Sequence, residues 1–321
     1  MVIDRLRWCA ARGRTVACAF VVAFCWVPKP GRAASGPSGE VGLNAEMDLK
    51  DPSQRLVGPA FRIYGAPLDD DSLPVREAAF AKHISWASLA VNLLQGSATS
   101  LTEATADMSA DGIEATAELR WVVGGSPFTL TIPYSGGGYR WMDDSGETND
   151  KLRLQTVGIE PGWYVTDSFE LTAGFSYASP DFWYRSSDTD WGWLAWDIYN
   201  WWVGTRALLN LQNGTFIAVS GRAGLYRDQQ GNRLVAVQAS GCYYLQPAIG
   251  IGGMVSVSRF SGDVDNWGEN LQAMGTTSAG ILASFDLDRQ WGLEGSISYI
   301  RPEKKGPDAQ IQSRLELRAR F

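Results

Sequence analysis

The sequence predicts an all-β fold: a closed antiparallel up-and-down transmembrane β-barrel of about 12 strands that follows an N-terminal signal peptide. Three observations predict it. Apolar and polar residues alternate along most of the chain, and the composition combines 35 Gly with 14 Trp, 12 Phe and 11 Tyr. The last strand also ends on an aromatic residue and carries charged residues on its opposite face. Strands with lipid on one side and a watery lumen on the other have this pattern.

The N-terminal segment has the parts of a secretory signal peptide. Four arginines within residues 1–14 precede the uncharged apolar run of residues 16–27, and small residues follow. A spanning helix needs roughly 20 apolar residues, so the run is too short for one. We predict a signal peptide of residues 1–35, cleaved after Ser35 and exported through the Sec pathway. An uncleaved anchor is the alternative.

Removal of residues 1–35 changes the charge and the cysteine count. Six basic residues and one acidic residue are removed, so 28 − 6 = 22 basic and 35 − 1 = 34 acidic residues remain. The processed chain therefore has a net charge of about −12. This balance argues against nucleic acid as a partner. One cysteine stays, Cys242, so no disulfide can form within the processed chain.

Residues 36–82 differ from the rest of the chain. Apolar residues alternate with polar ones over 41–49, which allows one short strand, but four prolines then follow, at positions 52, 59, 67 and 74. Prolines at this density discourage both helices and central strands. We therefore predict a periplasmic lead-in or a plug in the barrel mouth, and the sequence leaves both alternatives open.

The barrel itself is predicted over residues 83–321. Alternation marks twelve strands near 87–93, 113–123, 128–134, 151–163, 169–177, 199–211, 217–225, 235–245, 249–257, 279–285, 291–299 and 310–321. The fourth is irregular, because its apolar residues change parity. Long breaks follow the odd strands and short breaks the even ones, including Asn213-Gly214, a strong hairpin signal. Six loops and five turns suit a barrel with both termini in the periplasm.

The closing strand resembles those that the barrel-insertion machinery recognises. Ile311, Leu315, Leu317, Ala319 and Phe321 share one face, and charged residues occupy the other. We predict that Leu315, Leu317 and Phe321 form a C-terminal insertion signal.

Charged residues on the predicted inner faces of the strands are candidates for the lumen lining: Glu118, Arg120, Glu170, Arg206, Arg222, Glu294, Arg314, Glu316, Arg318 and Arg320. Opposite charges on neighbouring strands can pair and fill a narrow interior. The sequence does not distinguish a conducting lumen from a filled one.

Aromatic residues cluster where a loop meets the sixth predicted strand: Trp183, Tyr184, Trp191, Trp193, Trp196, Tyr199 and Trp201. Trp and Tyr form girdles at membrane interfaces. We predict such a girdle, and the alternative is a lining of the barrel mouth that stacks on sugars.

The chain offers little for catalysis. Its one histidine is His83, and no Gly-x-Ser-x-Gly motif or Cys/His cluster occurs. We therefore expect neither an enzyme nor a metal or other cofactor.

Three segments are similar to a proteobacterial family of porin-like outer-membrane β-barrels known only as a domain of unknown function. They are residues 111–121 (DGIEATAELRW), residues 128–138 (FTLTIPYSGGG) and the end of the chain from residue 306. The resemblance implies the fold and an outer-membrane location, and it brings no functional residues.

The first functional hypothesis is a porin-like channel for passive diffusion of small solutes across the outer membrane of a Gram-negative cell. The alternative is a structural or surface-binding barrel with an occluded lumen, and a third candidate is a lipid-modifying enzyme. The expected partners are outer-membrane lipids and lipopolysaccharide, the barrel-insertion machinery and small solutes.

Overall fold

The computed structural model describes residues 38–50, 55–68, 72–99, 107–142, 148–186, 189–195, 197–211, 214–229, 231–261, 275–287, 290–302 and 309–321. The predicted signal peptide lies outside the described residues. So do parts of the predicted outer loops.

The described residues form fifteen strands and one helix. The strands are β1 (Gly39–Asp48), β2 (Arg55–Tyr64), β3 (Trp86–Thr99), β4 (Asp107–Val122), β5 (Phe128–Met142), β6 (Thr148–Thr166), β7 (Phe169–Ser186), β8 (Thr189–Ala195), β9 (Ile198–Asn210), β10 (Phe216–Asp228), β11 (Arg233–Gln246), β12 (Ile249–Ser261), β13 (Thr276–Asp286), β14 (Trp291–Pro302) and β15 (Gln310–Arg320). The helix α1 (Val75–Ala81) lies between β2 and β3.

Fourteen of these strands close into an antiparallel up-and-down barrel. Consecutive strands pair from β1 to β7, β7 pairs with β9, and pairing continues to β15, which returns to β1. β8 lies outside this ring, because it pairs only with the far end of β7. A closed ring leaves no strand edge with unpaired backbone groups.

The predicted number of twelve strands is therefore corrected to fourteen. The twelve predicted strands correspond to wall strands β3–β7 and β9–β15, and the two additional ones are β1 and β2. Residues 39–64 thus belong largely to the wall, and residue 83 does not mark its beginning. The prediction left this segment out of the wall because of its prolines. The strand nevertheless accepts Pro59, because the β2–β3 ladder skips Gly58 and Pro59. The missing N–H of Pro59 falls where no ladder bond is needed.

The connections differ between the two ends of the barrel. At one end, the turn end, β6–β7 and β11–β12 are joined by residues 167–168 and 247–248, and Phe321 closes the chain. At the other end, the loop end, the connections include residues 262–275 and the β7–β8 extension. The β2–β3 connection, residues 65–85, is at the turn end and is the long exception there.

The outer face of the barrel is apolar. Val203 has 61% of its surface exposed while its neighbour Trp202 has 6%, and Ile281 has 68% while Leu282 has 8%. The same alternation exposes large apolar residues outward on all fourteen wall strands. Faces of this kind contact lipid in barrel strands.

Among the described residues, the structure contains no helix with the length and apolar character required to cross a membrane.

The helix α1 lies inside the barrel at the turn end. We refer to residues 72–85, which contain it, as the lumen segment. Phe80 packs in a buried cluster with Tyr164 of β6, Leu208 of β9 and Tyr244 of β11. Ala78 and Ala79 pack in a second buried cluster with Tyr64, Leu68 and Ile84. Apolar packing thus holds the segment against the inner wall.

Candidate solute pathway in the lumen

A polar cavity of about 830 Å³ occupies the lumen between the lumen segment and the loop end. Its lining comes from wall strands β3 to β15 and from Arg76 of α1. Two kinds of surface face each other across it. One is rich in arginine and glutamate, and the other carries mainly hydroxyl and amide groups.

Glu170 of β7 is the centre of one charged group. It accepts hydrogen bonds from Arg120 of β4 at 2.7 Å and from Thr129 of β5 at 2.6 Å. Arg120 also donates to the hydroxyl of Tyr164 at 3.2 Å. Each partner lies on an inner strand face, so the alternation of the sequence brings all four side chains into the lumen. Glu170 and Arg120 are buried, and their charges compensate each other.

A second charged group lies further along the same wall. The carboxylate of Glu160 on β6 accepts from Arg222 of β10 at 2.5 Å and from the indole Nε1 of Trp202 at 2.8 Å. The Arg222 guanidinium lies over the Trp202 ring, 4.8 Å from its centroid. Arg222 is nevertheless exposed to the cavity, so this group presents charge to the lumen.

A third charged group surrounds the seam between β15 and β1. Glu294 of β14 pairs with Arg318 at 2.8 Å and with Arg76 of α1 at 2.6 Å. Arg320 pairs with Glu40 of β1 at 3.0 Å and with Asp286 of β13 at 2.5 Å. These pairs connect β13, β14, β15, β1 and the lumen segment, so the seam is closed by side chains as well as by the backbone ladder.

The opposite part of the cavity lining, from β11 to β13, consists of Gln, Ser, Ala, Met, Val and Leu side chains. Ser220 and Ser240 share a hydrogen bond of 2.8 Å, and Ser256 and Ser278 share one of 2.7 Å. Together with Gln238 and Ser296 they line the cavity with groups that both donate and accept. A hydrated solute can therefore exchange water for protein hydrogen bonds along this side.

The lumen segment is bound to the wall by polar contacts as well as apolar ones. Glu77 pairs with Arg206 of β9 at 2.8 Å and accepts a hydrogen bond from Tyr244 at 3.3 Å. The Arg206 guanidinium lies 4.5 Å from the centroid of the Phe80 ring. Burial alone raises the pKa of Glu77, but Arg206 and Arg76 outweigh it, and the pKa lies below its usual value of 4.5. Glu77 is therefore an anion at neutral pH.

His83 lies two residues after the end of α1. Its ring stacks on Tyr164 with centroids 3.7 Å apart, and its Nε2 lies 3.1 Å from the carbonyl oxygen of Asp167. Its backbone has a φ of 53°, which suits a chain reversal before β3. These contacts give His83 a positioning role at the turn end.

The structure places the predicted lumen residues on the inner side of the wall. Seven of them line the large cavity: Glu118, Arg120, Glu170, Arg206, Arg222, Glu294 and Arg314. Glu316 and Arg318 line a smaller cavity beside it. Arg320 is buried in its ion pairs at the turn end.

Sequence reasoning missed several polar residues of the lumen: Glu40, Arg62, Arg76, Glu77 and Glu160. Four of them lie in residues 36–82, which the prolines set apart from the wall. Arg62, Glu40 and Glu160 do alternate with outward apolar residues such as Phe61, Val41 and Ile159. That alternation was the signal that could have found them. Arg76 and Glu77 lie on α1, where a period of two does not apply.

The predicted aromatic girdle is described in part. Tyr199 and Trp201 of β9 stack at 6.1 Å, and Phe175 and Tyr177 of β7 pack against Tyr199 at 6.4 and 5.7 Å. Trp183 and Tyr184 fall in β7, and Trp191 and Trp193 fall in β8. The side chains of these four, and all of Trp196, lie outside the described residues.

The last strand ends beside the first. Leu315, Leu317 and Phe321 are exposed on the outer face. The backbone carbonyl of Phe321 accepts hydrogen bonds from the N–H groups of Ser38 at 2.7 Å and Gly39 at 3.0 Å.

No cluster of three or more His, Cys, Asp or Glu side chains suited to a metal ion occurs in the part of the chain that the structure describes.

Comparison with solved structures finds other barrels. The Acinetobacter baumannii outer membrane protein Omp33 is similar with a TM-score of 0.53 and 15% identity, over 89% of this chain and 98% of that chain. A deltaS2S3 mutant of the monoaromatic hydrocarbon channel TodX is similar with a TM-score of 0.52 and 11% identity, over 90% and 91%. No family model and no curated protein matches the chain. At these identities the likeness shows the barrel fold, and the resemblance to a family of unknown function stays a prediction.

Proposed function

We propose that the protein is a porin-like channel of the outer membrane that lets small solutes diffuse passively. The observation that carries this proposal is the polar cavity of about 830 Å³ inside a closed barrel with an apolar outer face. A wall of this kind positions water and polar solutes on one side and lipid on the other. The similarity to the outer membrane protein Omp33 and to the monoaromatic hydrocarbon channel TodX supports it.

A channel of this kind has a defined orientation in the membrane and defined partners. The turn end, where β1 begins and β15 ends, faces the periplasm, as short turns do in such barrels. Export proceeds through the Sec pathway after recognition of residues 1–35. Leu315, Leu317 and Phe321 are the signal for the insertion machinery, and the outer face contacts lipids and lipopolysaccharide.

The lumen segment acts as the plug in this proposal. Its burial against β6, β9 and β11, and its pairs with Arg206 and Glu294, narrow the lumen at the turn end. Solute passage then requires the segment to shift. The same contacts favour the second candidate function, a structural or surface-binding barrel with an occluded lumen.

Conductance in planar bilayers distinguishes the two functions. Tyr64 and Trp86 are cross-strand partners at the ends of β2 and β3. An Asn-Gly hairpin turn in place of residues 65–85 therefore removes the segment and keeps the wall. We expect steady conductance from this variant and lower or intermittent conductance from the unaltered protein.

The control for this experiment is strand content measured by circular dichroism, which should match between the two proteins. A correctly folded variant that stays silent contradicts the channel proposal and supports the occluded barrel.

A further inference from the structure

A hollow in the lumen wall lies beside the main cavity. Gly42 of β1, Ala60 of β2 and Ala90 of β3 are neighbours across the sheet and face inward. The side chains of these three residues are only a hydrogen atom or a methyl group, so little side-chain volume projects from the wall into the lumen here. The result is a side pocket of about 230 Å³ that reaches from β15 to β4.

Polar residues flank the hollow on both sides. Toward the loop end, Asn44 is paired with Glu316 of β15. Toward the turn end, Glu40 is paired with Arg62 of β2. Together with Asn92 and Arg318, these residues line the pocket. It therefore combines carboxylates, guanidinium groups and two amides within one small space.

Four buried polar atoms in this pocket lack a hydrogen-bond partner among the described residues. Asn44 and Asn92 are 9% and 8% exposed, and the Oδ1 atom of each is unpartnered. The Nε atom of Arg62 is unpartnered as well, and the Nε atom of Arg318 lies 3.5 Å from the Oε1 atom of Glu316 without forming a hydrogen bond. A buried polar group without a partner is unfavourable, so such groups in native proteins normally form hydrogen bonds with a ligand or with water. The pocket thus offers two acceptors and two cationic donors.

The charged groups are held in place by contacts outside the pocket. Arg318 donates to Glu294 at 2.8 Å, and Glu40 accepts from Arg320 at 3.0 Å. The Arg62 guanidinium lies over the Trp86 ring, 4.6 Å from its centroid. Groups held in this way lose little freedom when a ligand binds.

We infer that this side pocket binds a small zwitterion, a free α-amino acid, on the pathway that the proposed function describes. Its carboxylate would accept hydrogen bonds from the Nε atoms of Arg62 and Arg318. Its ammonium group would donate to the Oδ1 atoms of Asn44 and Asn92 and lie near the Glu316 carboxylate. The inference rests on the proposed function only for its role in transport, since binding can be measured without conduction.

The size and the charges of the pocket select this ligand class. A volume of 230 Å³ holds about eight water molecules, at roughly 30 Å³ each. This is smaller than the roughly 300–1,000 Å³ of sites for drug-sized molecules. A simple carboxylate such as acetate would satisfy the arginines and leave both amide oxygens unfilled. A neutral polyol such as glycerol would form the hydrogen bonds but match none of the charges.

Isothermal titration calorimetry of the purified intact barrel in detergent tests the inference with L-serine, acetate and glycerol. We expect saturable binding of L-serine and at least about tenfold weaker binding of the other two. Ala60→Leu fills the hollow and should weaken L-serine binding at least about tenfold. Ala223→Leu is the matched control, because Ala223 of β10 is on the outer face between Val203 and Val237.

Two results overturn the inference: no saturable binding of L-serine, or equal binding by the Ala60→Leu variant. If Ala60→Leu fails to fold by circular dichroism, Asn92→Leu replaces it with the same expectation. The outcomes for the two proposals are separable. A conducting barrel that does not bind L-serine overturns the pocket alone, whereas a silent barrel that binds it overturns the channel alone.

Discussion

Glu77 of α1 and Arg206 of β9 form an ion pair with 2.8 Å between the carboxylate Oε2 and the guanidinium Nη2. This pair ties the lumen segment to the wall, and Tyr244 adds a hydrogen bond to the same carboxylate. Loss of Arg206 would leave Glu77 as a buried anion with Arg76 as its remaining neighbouring cation.

Arg206→Gln should therefore loosen the lumen segment. Loss of one partner of a fully buried pair costs about 3–5 kcal/mol, but Arg206 is one third exposed, so we expect about 1–3 kcal/mol. That corresponds to a roughly fivefold to 150-fold larger open population, measured as open probability in single-channel recordings. The double variant Glu77→Gln with Arg206→Gln is the control, because it leaves no unpaired charge. An unchanged open probability in the Arg206→Gln variant would contradict this role.

The lowered pKa of Glu77 predicts opening at acid pH. Because the folded pKa lies below the usual 4.5, the anion stabilises docking of the segment at all pH values above about 4.5. That stabilisation decreases as the pH falls from 4.5 through the folded pKa. We expect conductance to rise over this acid range. Glu77→Gln should remove the pH-dependent step, and a step of equal size in this variant would assign it to another group.

Glu160 and Arg222 should influence ion selectivity in opposite directions. The two side chains pair at 2.5 Å beside the large cavity. Glu160→Gln leaves an uncompensated cation and should shift selectivity toward anions, whereas Arg222→Gln should shift it toward cations. Reversal potentials under a KCl gradient measure both. Two shifts of the same sign, or none, would show that ions do not pass this pair.

Gly174 allows the Trp202 ring to lie against β7. A Cβ at this position would be 2.1 Å from the indole Cε2, so Gly174→Ala must displace the ring and its hydrogen bond to Glu160. We expect a loss of about 1–3 kcal/mol in the free energy of unfolding, measured with denaturant in detergent. Gly221→Ala is the matched control, since its Cβ would meet the nearest atom at 3.6 Å. Equal stability of the two variants would refute the packing argument.

The sequence allowed much of the wall to be predicted, because lipid and water impose a period of two on every spanning strand. Val203 and Trp202 follow that rule, as does the closing strand. The short turn at residues 167–168 lies in the break between the strands predicted near 151–163 and 169–177.

The missed features have physical reasons. β2 contains Pro59 at a skipped ladder position, and no rule of alternation distinguishes that place from a strand break. The lumen segment is stabilised by tertiary contacts of Phe80 and Glu77 with strands more than 80 residues away. Partners so distant cannot be inferred from the neighbouring sequence. Neither the helix nor the side pocket at Ala60 could therefore be predicted.

The pairing of β15 with β1 has a consequence for biogenesis. The hydrogen bonds at this seam join residues 283 positions apart, as between Ser38 and Phe321. The edge of β1 that pairs with β15 therefore stays uncovered until residues 310–320 are present. Until then the edge of β1 carries unpaired backbone groups, and open strand edges of this kind favour aggregation.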